Sequence, residues 1–327
     1  MKICITTDLL TGRDLGIEVI ETFLEVFDQA SLLAISFKEG AILGPVELRN
    51  ITSTSLTHKI HNYHDLQKYS FLAPGVLGNH FISCQYDLII NVSRGLSHGF
   101  KRCKTTRQIT YLLDQAANPT GKNFIEKLFK SFVNKWALRK LDQVDELWVS
   151  SVAMKEQLKG FYSKEIIVVP PFIKVQDFPL IPSDVYPHNY YVINAEVIDL
   201  KLAESLISIM KAQKFEFRFV GKDTHLQSLK KNHKEHIFLG EKCNGDLAPI
   251  LAASRGLIDL NKSTFPALSL CALSSGRPVI ISQNDYISGE GVFTIGDDKK
   301  ETILEQIEAL NNKHPEIGPE KLHGQAN

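Results

Sequence analysis

The residues able to do chemistry in this 327-residue chain gather in two places. In the second half, Lys201, Lys222 and Lys262 follow apolar runs, and Ser263-Thr264 precede a small-residue helix that starts near Ala267. Ammonium groups beside a helix N-terminus, whose first amides lack intrahelical partners, are equipment for holding an anion such as a diphosphate. Each lysine taken alone reads more readily as a solvated surface charge. In the first half, Asp8 ends an apolar run, and Gly12-x3-Gly16 follows it. Those glycines provide backbone clearance or a plain loop; they lack the three-glycine spacing of the dinucleotide fingerprint. Cys271 has no histidine near it in sequence and reads as small buried packing rather than as a nucleophile. His61-x2-His64 has no cysteine or carboxylate at ligand spacing, so no metal is expected.

These groups need elements to position them. Short apolar runs alternate with helical patterns, which points to mostly parallel sheets covered by helices. Strands are expected at Lys2–Thr6, Leu32–Phe37, Asp87–Val92, Gln108–Leu112, Glu146–Val149 and Ile166–Val169, with helices at Leu15–Phe27, Phe124–Leu141 and Val152–Phe161. Residues 38–80 read as loops or an inserted hairpin. A second alternating unit has strands at Tyr190–Ile193, Phe215–Val220, Ile237–Leu239, Gly256–Leu260 and Pro278–Ser282. Its helices are expected at Leu200–Gln213, Leu226–Asn232, Asp246–Ser254, Ala267–Ser275 and Lys300–Asn312. The chain is therefore read as α/β, with two Rossmann-like, doubly wound domains facing across a cleft, at 1–172 and 190–312. A proline-rich linker (173–189) joins them and a polar tail (313–327) follows.

Composition narrows the partners. Lys+Arg and Asp+Glu both number 37, so no global field favours nucleic acid. No run approaches the roughly 18 apolar residues of a membrane span. The N-terminus is too polar after Thr6 for a signal peptide. The 5 cysteines show no repeating pair spacing and are read as reduced, in a cytoplasmic protein.

Landmarks in order along the chain carry a family resemblance. TTDLLTGRDLGIEV, QYDLIINVSRGLSHGF, VDELWVSSVAMKEQLKGFYSKEIIVVPPF, FRFVGKD, HIFLGEKCNGDLAPILAAS and KSTFPALSLCALSSGRPVII are similar to segments of the retaining glycosyltransferases of family 4. The likeness is to mannosyltransferase-like members of surface polysaccharide assembly. That resemblance implies GT-B architecture and transfer of a sugar from a nucleotide-sugar donor to a polysaccharide or lipid-linked acceptor. It implies no cofactor and no metal. It places Lys201, Lys222, Lys262, Ser263, Thr264, Ala267 and Cys271 on the donor side, with Gly12 and Gly16 beside the sugar. Asp8 or Asp114 then lies near the acceptor as the catalytic carboxylate. Gly276-Arg277-Pro278 matches the end of the family's donor motif, and Arg277 reads as fixing the turn there.

The chain departs from the family at its charged positions. The family's arginine falls on Glu196, its two glutamates fall on Ser263 and Cys271, and its histidine is missing from YLLDQAANP. At ~4 Å and an effective dielectric of ~20, one charge pair contributes roughly 4 kcal/mol, and a reversed sign repels by as much. A second reading follows: an inactive GT-B protein that serves as a binding or scaffold partner of another glycosyltransferase. The expected location is cytoplasmic, or peripheral at the inner face of the membrane.

Overall fold

Strands buried on both faces need helices on both sides, and the apolar runs here are of that kind. A computed structural model describes residues 1–42, 44–113, 124–171, 174–180, 189–209, 215–221, 223, 226–233, 237–260, 266–282, 287–297 and 299–313. The chain divides into two units, Met1–Phe172 and Ile173–Asn327. Each is a parallel sheet with helices packed on it.

The first unit runs β1 (Ile3–Leu10), α1 (Leu15–Val26), β2 (Ser31–Phe37), β3 (Ile51–Ser53), α2 (Tyr63–Tyr69), α3 (Ala73–Asn79), β4 (Leu88–Ser93), β5 (Arg107–Leu112), α4 (Phe124–Leu141), β6 (Glu146–Val149), α5 (Val152–Leu158) and β7 (Ile166–Val168). Its sheet order is β3-β2-β1-β4-β5-β6-β7. Ile5, Leu10, Ile20, Leu24 and Tyr111 fill one face of the sheet, and Leu33, Ile35, Leu66, Leu77 and Phe100 fill the other. The second unit runs β8 (Tyr190–Asn194), α6 (Leu200–Ile209), β9 (Glu216–Val220), α7 (Gln227–Lys230), β10 (Phe238–Gly240), α8 (Asn244–Ala252), β11 (Leu257–Asp259), α9 (Ala267–Ser274), β12 (Val279–Ser282), β13 (Val292–Ile295) and α10 (Lys300–Lys313). Its order is β10-β9-β8-β11-β12-β13. The connector begins with a single turn at Val175–Asp177, after which Phe178 is fully buried in this unit's core.

Three expectations change. Residues 38–80 hold no hairpin: they supply a parallel edge strand, β3, and two short helices. Asn62 caps α2 by accepting from the Asp65 amide at 2.9 Å, while Leu66, Ala73 and Leu77 bury the helices' inner sides. The dense polar residues between those anchors obscured the helical period. β1 continues to Leu10, past the polar Thr6, Thr7 and Asp8, because all three are buried. β13 was not expected at all.

The cysteine reading is also corrected. Cys84 and Cys103 form a disulfide across 19 residues, with Cα atoms 5.2 Å apart. They sit in the loops that lead into the neighbouring strands β4 and β5, so sheet pairing brings together residues whose sequence spacing gave no signal. Cys4 and Cys271 are buried and Cys243 is exposed. Burial pushes the Cys4 thiol up to about 12. Thiol titration should thus show Cys243 reacting promptly in the native protein, three thiols after denaturation, and all 5 only after reduction. By the loop-closure relation, reduction should lower unfolding free energy by about 3 kcal/mol. Five thiols in denaturant without reductant would exclude the bridge.

Candidate functional site

In open parallel sheets, ligands bind beyond the carboxyl ends of the strands where the winding reverses. That reversal falls between β1 and β4 in the first unit and between β8 and β11 in the second. Buried carboxylates occupy both places.

At the first, Asp8 is 1% exposed. Its carboxylate accepts from the backbone amides of Arg94, Leu96 and Ser97, and from the hydroxyls of Ser93 and Ser97 at 3.2 and 3.0 Å. The charge is held by the loop after β4, whose turn needs a positive φ that Gly95 supplies at 115°. Arg94 pairs with Asp14 at 2.9 Å, and Asp14 caps α1 by accepting from the Ile17 amide at 3.1 Å. Gly16 lies in that first turn, where a Cβ would meet the Asp14 carboxylate at 3.0 Å; Gly12 faces open space. Asp8, Gly12 and Gly16 thus lie on the end of β1, the turn after it and the first turn of α1.

His98 lies beneath the same loop. Its Nε2 is 2.9 Å from the Ala137 carbonyl and its Nδ1 is 3.4 Å from the Ser93 hydroxyl. Burial lowers its pKa below 6.5, against the opposing pull of the Ala137 carbonyl and of Asp8.

At the second reversal, Asp259 is 1% exposed and accepts from the Asn194 amide and the Ser269 hydroxyl, each at 2.9 Å. Ser269 lies in the first turn of α9, so this carboxylate ties that helix to the ends of β8 and β11. Pro266 occupies the cap position and offers no side-chain cap. The Asn194 carbonyl oxygen accepts from the Glu196 amide at 3.1 Å. The Glu196 side chain leans over Gly221, where a Cβ would meet its Cγ at 3.0 Å. Gly221 follows β9, so Glu196 inclines away from β11. Lys201 is exposed in the first turn of α6, which holds no acidic residue. Cys271 is 5% exposed within the apolar core with Leu251 and Val279. Arg277 donates from Nε to the Ala252 carbonyl at 2.7 Å, tying the turn after α9 to the end of α8.

Asp114, Lys222, Lys262, Ser263 and Thr264 lie outside the described residues. Sequence reasoning missed Ser93, Arg94, Ser97, His98, Asn194, Asp259 and Ser269. Asp259 had a signal: it is a lone carboxylate in the apolar run Gly256–Leu260. A cavity of about 470 Å³ lined by Lys2, Phe27, Gln29 and Tyr86 lies at the opposite, amino-terminal edge of the first sheet. It lacks the geometry of a switch-point site. Among the described residues, no group of three His, Cys, Asp or Glu side chains could hold a metal ion.

No family model matches the chain, and no curated protein does. Solved structures do. Anabaena Alr3699/HepE in complex with UDP is 12% identical, with a TM-score of 0.66 over 100% of this chain and 93% of that one. Sucrose-phosphate synthase from Thermosynechococcus elongatus is 13% identical, with a TM-score of 0.69 over 100% and 95%. AviGT4, a glycosyltransferase involved in avilamycin A biosynthesis, is 12% identical, with a TM-score of 0.52 over 99% and 91%. The chain has the GT-B architecture of glycosyltransferases: two Rossmann-like units, with sheets of seven and six strands among the described residues. At these identities the likeness establishes the fold.

Two outcomes follow from the first crevice. Asp8→Asn would remove the charge and turn an amide NH2 toward a backbone N–H that cannot accept, and should lower unfolding free energy by about 3 kcal/mol in urea titrations. A change below about 1 kcal/mol would mean that these bonds are not formed in solution. By NMR, His98 should stay neutral to a lower pH than an ordinary imidazole. The unfolded chain then takes its proton first as pH falls through 6.5, so stability drops with acidification until folded His98 itself protonates. His80, also lowered by burial, acts in the same direction.

Proposed function

We propose that the chain is a glycosyltransferase-like protein that takes a nucleotide sugar at the carboxyl edge of its second unit. The observation that carries this reading is the tether of α9 to the switch point through Asn194, Asp259 and Ser269. It aims the α9 N-terminus, where Pro266 offers no side-chain cap, at the place where such folds take diphosphates. Lys201 supports it as an exposed cation at the start of α6, beside Asp199, whose carboxylate accepts from the Leu202 amide at 2.7 Å. On this reading Lys222, Lys262, Ser263, Thr264 and Ala267 line the donor, and Cys271 packs behind it. Gly12 and Gly16 lie by the sugar, and Asp114 serves the acceptor. Asp8 contributes by fixing the loop at residues 94–97. The acceptor is a glycan or lipid-linked sugar, and no metal takes part.

Buried Cys271 and exposed Glu196 favour a second reading, in which the fold is kept without chemistry as a partner for another glycosyltransferase. Calorimetry of the intact protein with UDP, UDP-glucose, UDP-N-acetylglucosamine, GDP and GDP-mannose separates the two. Micromolar binding that weakens about tenfold or more in Lys201→Ala is the expected result. Silence across the panel from a folded sample would overturn the donor site and leave the scaffold reading.

A further inference from the structure

The Cys84–Cys103 bridge takes no part in either crevice, and its two ends differ in ways that decide how it reacts. Cys84 is exposed, whereas Cys103 is half-buried. The Thr105 hydroxyl donates to the Cys103 Sγ at 3.5 Å. A donor at that sulfur stabilises a thiolate there, so Cys103 is the better leaving group and Cys84 the sulfur that a solute reaches. Charge is also uneven. Residues 101–104 bring Lys101, Arg102 and Lys104, while residues 81–87 bring only the carboxylate of Asp87. Arg102 is paired with Asp145 at 3.1 Å; Lys101 and Lys104 are exposed on either side of Cys103 in the chain.

The two loops are joined by more than the sulfurs. The Lys101 amide donates to the Leu77 and His80 carbonyls, each at 3.2 Å, and the Ile82 amide donates to the Lys101 carbonyl at 2.8 Å. On the other side of the bridge, the Thr106 hydroxyl donates to the Tyr86 carbonyl at 2.8 Å. Opening the S–S bond therefore leaves the sulfurs neighbours, able to close again. We propose that Cys84–Cys103 is a reversible thiol–disulfide exchange site that takes small anionic thiols. The incoming thiolate attacks the Cys84 Sγ and forms a mixed disulfide there. The Cys84–Cys103 bond breaks, and its electron pair leaves on Cys103 as a thiolate held by Thr105. Return attack by Cys103 on Cys84 expels the small thiol and restores the bridge. If a second thiolate instead attacks the small thiol's own sulfur, it releases Cys84 as a thiolate, and two small thiols are oxidised for one bridge reduced. Lys101 and Lys104 draw the anionic thiol in. The proposal is independent of the donor site.

Millimolar reduced glutathione added anaerobically to the full chain, without denaturant, tests it. Samples quenched with N-ethylmaleimide at early times should carry glutathione on Cys84 and maleimide on Cys103 by peptide mass spectrometry, with circular dichroism unchanged. Thr105→Val should slow opening about fivefold, while Thr105→Ser, which keeps the hydroxyl, should open at the parent's rate. Thr105 is exposed, and circular dichroism checks that both variants keep the fold. With rates normalised to thiolate concentration, glutathione should outpace the cationic thiol cysteamine at low salt. That advantage should shrink severalfold at about 0.5 M salt, and likewise in the double variant Lys101→Gln, Lys104→Gln. A bridge that opens only in denaturant, glutathione found on Cys103 instead, or rates indifferent to Thr105→Val and to salt would overturn the proposal.

Discussion

A carboxylate sealed at the end of a central strand must be surrounded by donors, and the first unit is organised around that requirement. An unpaired buried charge would cost several kcal/mol, a large share of a domain's net stability. The loop after β4 meets the demand with the amides of Arg94, Leu96 and Ser97. Folding those amides around one point forces the turn at Gly95, and the turn in turn aims the Arg94 side chain at Asp14. Asp14 caps α1, and α1 packs Ile17, Ile20 and Leu24 into the core. One buried charge thus sets a loop, a helix start and the glycine clearance at the sheet's carboxyl edge.

The second unit solves the same topological problem with a different balance. Asp259 occupies the equivalent reversal, and its carboxylate accepts from the Asn194 side-chain amide and the Ser269 hydroxyl on neighbouring elements. The carboxylate acts as a strut between β8, β11 and α9. The first crevice is therefore filled by its own backbone amides.

The sheets were legible in the sequence because doubly buried strands write themselves as apolar runs. Tyr190–Asn194 and Leu88–Ser93 were found almost to the residue. What failed was polar sequence that folding buries. Thr6, Thr7 and Asp8 read as a strand end yet lie inside, because their partners are 85 or more residues away. The same holds for Asn194 with Asp259 and for Cys84 with Cys103: each pair is made by strand adjacency, which one-dimensional spacing does not encode. The glycines at 12 and 16 were visible, but the reason Gly16 is constrained, the Asp14 cap, required the helix start to be placed.

Glu196 shows how geometry changes an electrostatic argument. Read by type alone, a carboxylate at an arginine position repels a diphosphate by roughly 4 kcal/mol at ~4 Å and an effective dielectric of ~20. In the fold its amide is held by Asn194 while its side chain leans to the β9 side and stays exposed. An exposed carboxylate inclined away from the β11 side acts through water, where the same separation is worth about 1 kcal/mol and salt reduces it further. The helix N-terminus contributes up to ~2 kcal/mol in partly buried geometry, enough to outweigh that residue. On the donor-site reading, the sign reversal at position 196 would therefore weaken anion binding without abolishing it. Loss of chemistry has to be argued from the positions of the two missing glutamates, of which Cys271 has turned into the core.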